Sequence, residues 1–103
     1  MSGEILTTVT ATVDADREAE LTMGFRNLME LPMPDGLLRT ELLRGRNQTW
    51  RIETLWRDQA ALEAVRNSLE PPAALGLFQR VGAEHSHNVF FLEYAYHAET
   101  YGT

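Results

Sequence analysis

The stretch T-W-R-I-E-T-L-W-R-D-Q-A-A-L-E-A-V-R-N-S, Thr49 to Ser68, holds a strand that ends on Trp56 and a helix that begins after Asp58. Trp50, Ile52, Thr54 and Trp56 fall on one face, opposite Thr49, Arg51, Glu53 and Leu55. Alternation with aromatic and β-branched residues marks a strand. Beyond it, Ala61, Leu62, Val65 and Leu69 recur at helical spacing, the buried stripe of a short amphipathic helix. Asp58 stands at the junction, where a carboxylate accepts from the unpaired N–H groups of a first helical turn. Pro71 and Pro72 end the helix, since proline has no N–H and its ring clashes with the preceding turn.

Upstream, Ile5, Thr7, Val9, Ala11 and Val13 alternate with Leu6, Thr8, Thr10 and Thr12, so a first strand has one largely apolar face and one that is mostly threonine. Asp14 is placed to cap a helix whose stripe is Leu21, Phe25, Leu28 and Met29,. Gly24 within it permits close packing, and Pro32 to Gly36 break it,. Leu37 to Arg44 reads as a second strand, joined through the turn Gly45 to Gln48 to the strand that ends on Trp56. So short a turn pairs the two antiparallel.

Downstream, Ala73 to Ala83 reads as helix, with Leu75, Phe78 and Val81 as anchors. Glu84 to Asn88, E-H-S-H-N, reads as a loop. Val89 to His97 reads as a fourth strand, with Val89, Phe91 and Ala95 on one side and Phe90, Leu92, Tyr94 and Tyr96 on the other. A strand apolar on both faces expects cover on both.

The order strand, helix, strand, strand, helix, strand is that of the split βαβ, ferredoxin-like α+β fold, an antiparallel sheet with its helices on one face. The other face is expected to carry Phe90, Leu92, Tyr94 and Tyr96 with Leu37, Leu43 and Leu55. An apolar patch of that size is more often an interface than a wet surface, so a homodimer is expected.

The 103 residues allow one domain, 1–103, with an ordered core over about 4–97,. The net charge of −6 disfavours nucleic acid and anionic membrane surfaces as partners,. The absence of cysteine excludes disulfides, thiolate nucleophiles and cysteine zinc sites, and fits a cytoplasmic location,. The N-terminus has no signal-peptide pattern, and no apolar run approaches the roughly 20 residues of a membrane-spanning helix.

The element order, the P-D-G-L entry to the second strand and the junction T-L-W-R-D-Q-A-A-L-E-A-V-R-N-S resemble the antibiotic biosynthesis monooxygenase domain of the dimeric α+β barrel superfamily. Trp56, Asp58, Leu62 and Ser68 sit where that family's pattern wants them, and the likeness spans about residues 4–97. Many members carry a histidine two residues before the serine, where this chain has Arg66. The haem-degrading branch uses an asparagine in strand one, a tryptophan in the second helix and a histidine ligand in the next. Here threonines, Val65 and an apolar residue near Leu75 stand instead. The resemblance therefore implies a dimeric barrel and oxygenation of a polycyclic phenol or anthrone without metal, flavin or haem. A binding or accessory protein, or an isomerase or cyclase on the same barrel, is the other reading that the fold allows.

The residues themselves offer few groups for such chemistry. Trp50 and Trp56 pack the core or wall a flat apolar pocket, and Phe25, Phe78 and Phe91 are further candidates for its lining. His85, His87 and His97 are of the one side-chain type that changes charge near neutral pH,. His85 and His87 lack an apparent third partner for a metal, so no metal site is expected. His87 is a candidate general base or a solvated loop residue. Glu93 is the other candidate base, expected on the helix side with Arg39, Arg51 or Arg66 to pair with it.

Overall fold

The computed structural model describes residues 3–67 and 73–96. Ser68, Leu69, the two prolines that follow and His97 lie outside them, as does the side chain of Leu75. Strands β1 (Ile5–Thr12), β2 (Leu37–Arg44), β3 (Thr49–Trp56) and β4 (His85–Phe91) alternate with α1 (Glu18–Leu28), α2 (Gln59–Arg66) and α3 (Ala73–Arg80). The sheet order is β2-β3-β1-β4, with every neighbouring pair antiparallel. This is the ferredoxin-like α+β arrangement.

The register assigns the faces. Ile5, Thr7, Val9 and Ala11 of β1 stand opposite Trp56, Thr54, Ile52 and Trp50 of β3, so one face collects the apolar alternates of both central strands. The helices pack on that face. Val9, Ala11, Val13, Trp50 and Ile52 form one buried cluster with Leu21 of α1 and with Leu77, Phe78 and Val81. Ile5 and Trp56 form a second with Ala61 and Leu62 of α2.

Local chemistry explains the junctions. Asp58 caps α2 as expected, its Oδ1 accepting from the N–H of Ala61 at 2.9 Å. Asp14 does not cap through its side chain. A 3₁₀ turn over Ala15–Arg17 precedes α1, and the backbone carbonyl of Asp14 accepts from the N–H of Arg17. The β2–β3 turn places Asn47 and Gln48 at positive φ. Gln48 is held there by accepting from the N–H of Val13 and donating its side-chain amide to the Val13 carbonyl.

Two expectations change. The fourth strand starts at His85, not Val89, and closes at Phe91. Its polar first half pairs with Thr8 to Ala11, because β1 is eight residues long and offers its ladder to the end. At a sheet edge polar side chains pair as well as apolar ones, so composition alone misplaces the boundary. Tyr94 and Tyr96 therefore lie beyond the strand and are exposed. Leu37 also changes sides. An irregularity between Leu37 and Arg39 shifts the register, so Leu37 stands beside Trp56 on the helix face while Leu43 and Leu55 remain on the opposite one. The helix-free face thus presents Leu43, Leu55 and Phe90, with Phe90 half exposed.

Candidate active site

Between the sheet and α2 lies an apolar cavity of about 710 Å³, within the range usual for small-molecule sites. Its floor is the middle of the helix face: Thr7 and Val9 of β1, Ile52, Thr54 and Trp56 of β3, and Thr40 of β2. Phe25, Leu28 and Met29 from the end of α1 form one wall. Leu31 to Pro34 cross the mouth, and Ala60, Ala64 and Val65 of α2 form the roof. Of the three alanines of α2, Ala61 is buried toward the sheet, while Ala60 and Ala64 edge the cavity without filling it. A helix with small residues toward the sheet buries little volume there.

The mouth is fixed by the P-D-G-L entry. Gly36 has φ of +88°, a left-handed value that favours glycine, and a Cβ on it would collide with the Cβ of Ala61. Its carbonyl accepts from the N–H of Arg57 at 2.7 Å. The Arg57 guanidinium lies 3.2 Å from Asp35 and 3.4 Å from Asp58. Those carboxylates, Asp35 foremost, raise the guanidinium above its ordinary pKa. Arg57 is thus committed to holding the entry loop against the start of α2.

The polar groups of the floor are hydrogen-bonded in a row. The Trp56 indole N–H donates to Thr7 Oγ1 at 3.1 Å, and Thr7 donates to the Thr54 carbonyl at 3.4 Å. Thr54 and Thr40 share a hydrogen bond between their hydroxyls at 2.9 Å. On the edge strand His87 stands beside Val9 and lines the cavity. Asp35 also lines it, but at the solvent-exposed mouth and paired with Arg57. Among the described lining residues His87 is the one imidazole.

Of the residues singled out from sequence, Trp56, Phe25 and His87 are brought together around the cavity. Trp50 and Phe78 are not. Both belong to the buried cluster under α1 and α3, where the Trp50 indole donates to Glu18 Oε2 at 2.9 Å and the Arg44 guanidinium lies over its ring. Phe91, at the free end of the edge strand, is 63% exposed and does not line the cavity. Glu93 lies beyond β4, exposed, and is likewise not among the lining residues. Ending the strand at Phe91 removes the alternation that pointed Glu93 inward. His85 shares the helix face, but its Nδ1 is buried without a hydrogen-bond partner. Among the described residues no three His, Asp or Glu side chains converge as a metal site, and no helix is long and apolar enough to cross a membrane.

The sequence reading passed over the threonines of the floor. The signal was present: each of the three strands carries one threonine on its inward face, Thr7, Thr40 and Thr54. Register, which the sequence does not state, is what aligns them.

The ferredoxin-like α+β sheet thus carries a mostly apolar, threonine-floored cavity under a short helix. The profile of the antibiotic biosynthesis monooxygenase family matches residues 5–76; the chain belongs to that family. No curated protein matches it in sequence. Among solved structures it is similar to a variant of SnoaB, a cofactor-independent oxygenase from Streptomyces nogalater, with 22% identity and a TM-score of 0.68, covering 90% of this chain and 96% of that one. A protein of unknown function from Nitrosomonas europaea aligns with 16% identity and a TM-score of 0.72, over 94% of this chain and 96% of that one. A conserved protein from Methanosarcina mazei aligns with 13% identity and a TM-score of 0.69, over 89% and 95%. At such identities the likeness establishes the fold.

Proposed function

We propose that the protein is a cofactor-independent monooxygenase that oxidises a flat polycyclic phenol or anthrone in the cavity beneath α2, with His87 as general base. The observation that carries this reading is the one imidazole among the described lining residues, His87, at the edge of a mostly apolar cavity walled by Trp56 and Phe25. An apolar cavity admits both oxygen and a flat ring system, and a base placed within it converts the ring into an electron-rich anion. For an anthrone, His87 takes a proton from the methylene carbon. The carbanion passes one electron to oxygen, and the radical pair combines to form the C–O bond of a peroxide. The peroxide takes a proton, and the carbon then loses its second hydrogen as the O–O bond breaks. One oxygen atom remains in the quinone and the other leaves as water. The substrate supplies all the electrons.

The test is oxygen uptake and quinone formation from an anthrone. Wild-type protein is expected to exceed the buffer blank, with His87→Gln losing roughly 10²–10⁴-fold in kcat and Glu93→Gln staying close to wild type. Clear ligand binding with no quinone above the blank would instead identify a binding or accessory protein, or an isomerase or cyclase.

The protein is further proposed to be a homodimer, with the helix-free faces of two sheets meeting. Leu43 and Phe90 are exposed on that face, and Val89 and Phe91 remain uncovered on the other side of the edge strand. Sedimentation at micromolar concentration is expected to give twice the chain mass. A monodisperse monomer would exclude this assembly.

A further inference from the structure

The threonines of the cavity floor have one more hydrogen than they use. Thr7, Thr54 and Thr40 stand side by side across β1, β3 and β2. Each hydroxyl has one hydrogen to donate and lone pairs to accept with. The Thr7 hydrogen is committed: the hydroxyl receives from the Trp56 indole and donates to the Thr54 carbonyl. Thr40 and Thr54 are bonded only to each other through their hydroxyls, and either can be the donor. Two hydroxyl hydrogens meet one such bond, so the second has no acceptor among the described residues. Both residues line the cavity. A donor left unsatisfied in an apolar, partly buried place is costly, and a ligand oxygen that displaces solvent from the cavity would accept its hydrogen.

We propose that the Thr40–Thr54 hydroxyl pair is an oxygen-binding donor site that takes the phenol or anthrone oxygen of the substrate and stabilises it as the oxyanion. The inference rests on the reading of the cavity as a site for an oxygenated flat ring, and it adds the group that receives the charge. When a base removes a proton from an anthrone, negative charge moves through the ring to the carbonyl oxygen on the opposite side. A donor fixed where that charge develops lowers the barrier. The sheet spaces the two functions accordingly. His87 and Thr54 are two strands apart and one row of inward residues apart. Strands about 4.8 Å apart and a two-residue step of about 6.8 Å place their Cα atoms roughly 12 Å from one another. The imidazole shortens that span, and the remainder suits a ring bonded at one end and deprotonated at the other. The specificity that follows is for a substrate with an oxygen across the ring from the acidic hydrogen.

The test uses 2-hydroxyanthraquinone, whose colour reports ionisation of its phenol, bound to the full chain. Removing both hydroxyls in Thr40→Val/Thr54→Val is expected to weaken ionisation of the bound dye by about ten-fold, the worth of a hydrogen bond to a charged oxygen. Its bound pKa then lies about one unit above that in the wild type. Each single valine variant retains most of the effect, because the remaining threonine is released to donate. Thr40→Ser/Thr54→Ser restores it. A double valine variant that ionises the dye like wild type overturns the proposal. So do single variants that lose as much as the double. If the double variant does not fold, the carbonyl stretch of bound anthrone in wild-type protein decides. A shift to lower frequency than in an apolar solvent supports the donor, and an unshifted band overturns it. Failure of the wild type to bind either compound overturns the aromatic-site reading itself, and this inference with it.

Discussion

Trp50 and Trp56 sit on the same face of the same strand and are equally buried, 7% and 6% exposed, yet one is core and the other is cavity wall. The difference lies in what covers them. Over Trp50, α1 and α3 bring Leu21, Leu77 and Phe78 down onto the sheet. They approach closely because Gly24 leaves room: a Cβ there would come within 2.8 Å of the Leu77 side chain. Over Trp56, α2 contributes Ala61 and Leu62 to the core and turns further alanines toward the cavity. The threonine row runs between the two ends. The cavity is therefore made by a shortage of side-chain volume above one half of the sheet, and solvent exposure alone does not reveal it.

The contrast is sharpest under truncation at the sealed end. Phe78 is fully buried, so Phe78→Ala is expected to cost about 3–5 kcal/mol, transfer and cavity terms together. Denaturant unfolding measures it. A loss below about 1 kcal/mol would mean that the two ends are packed alike, and the distinction would fail. At the open end the expected effect moves from stability to binding. Trp56→Phe keeps a ring in the wall but removes the indole donor to Thr7. About 1–2 kcal/mol of stability is lost, while affinity for a flat aromatic ligand falls about ten-fold. Equal affinity in the variant and the wild type would remove Trp56 from the site.

The same contrast explains what was readable beforehand. Period-two alternation in β1 and β3, and the helical stripe Leu21, Phe25 and Leu28, belong to segments buried on one side, so the fold followed from pattern. The edge strand escaped because it is exposed on both faces, and its H-S-H-N start carries no apolar rhythm. That error displaced Glu93 from an expected inward position to an exposed one and brought His87 from a loop onto the cavity wall. Trp50 and Trp56 were indistinguishable in sequence, since nothing in a one-dimensional pattern says which helix covers which end of a strand. Phe78 read correctly as an anchor, but an anchor of the sealed end. The threonine row needed the register of three strands at once.

The smallest expected effect concerns how the open end keeps its roof. Helix α2 is eight residues long with two buried side chains, too short to persist without support. Its support is the cap. The Ala61 N–H bonded to Asp58, with a lesser share from Arg57, holds this carboxyl below the ordinary aspartate value of 3.8. A depressed folded-state pKa stabilises above the unfolded value, and that stabilisation fades as pH falls through the lower folded value. Asp58→Ala is therefore expected to lower Tm by a few degrees at pH 7, with the gap from wild type narrowing as the pH is taken below 3.8. Hydrogen exchange should show the loss in α2 amides and leave α1 and α3 protected. Loss of protection spread evenly over all three helices would mean that the roof and the sealed core unfold as one unit. The cavity would then owe its shape to global packing rather than to a separately capped helix.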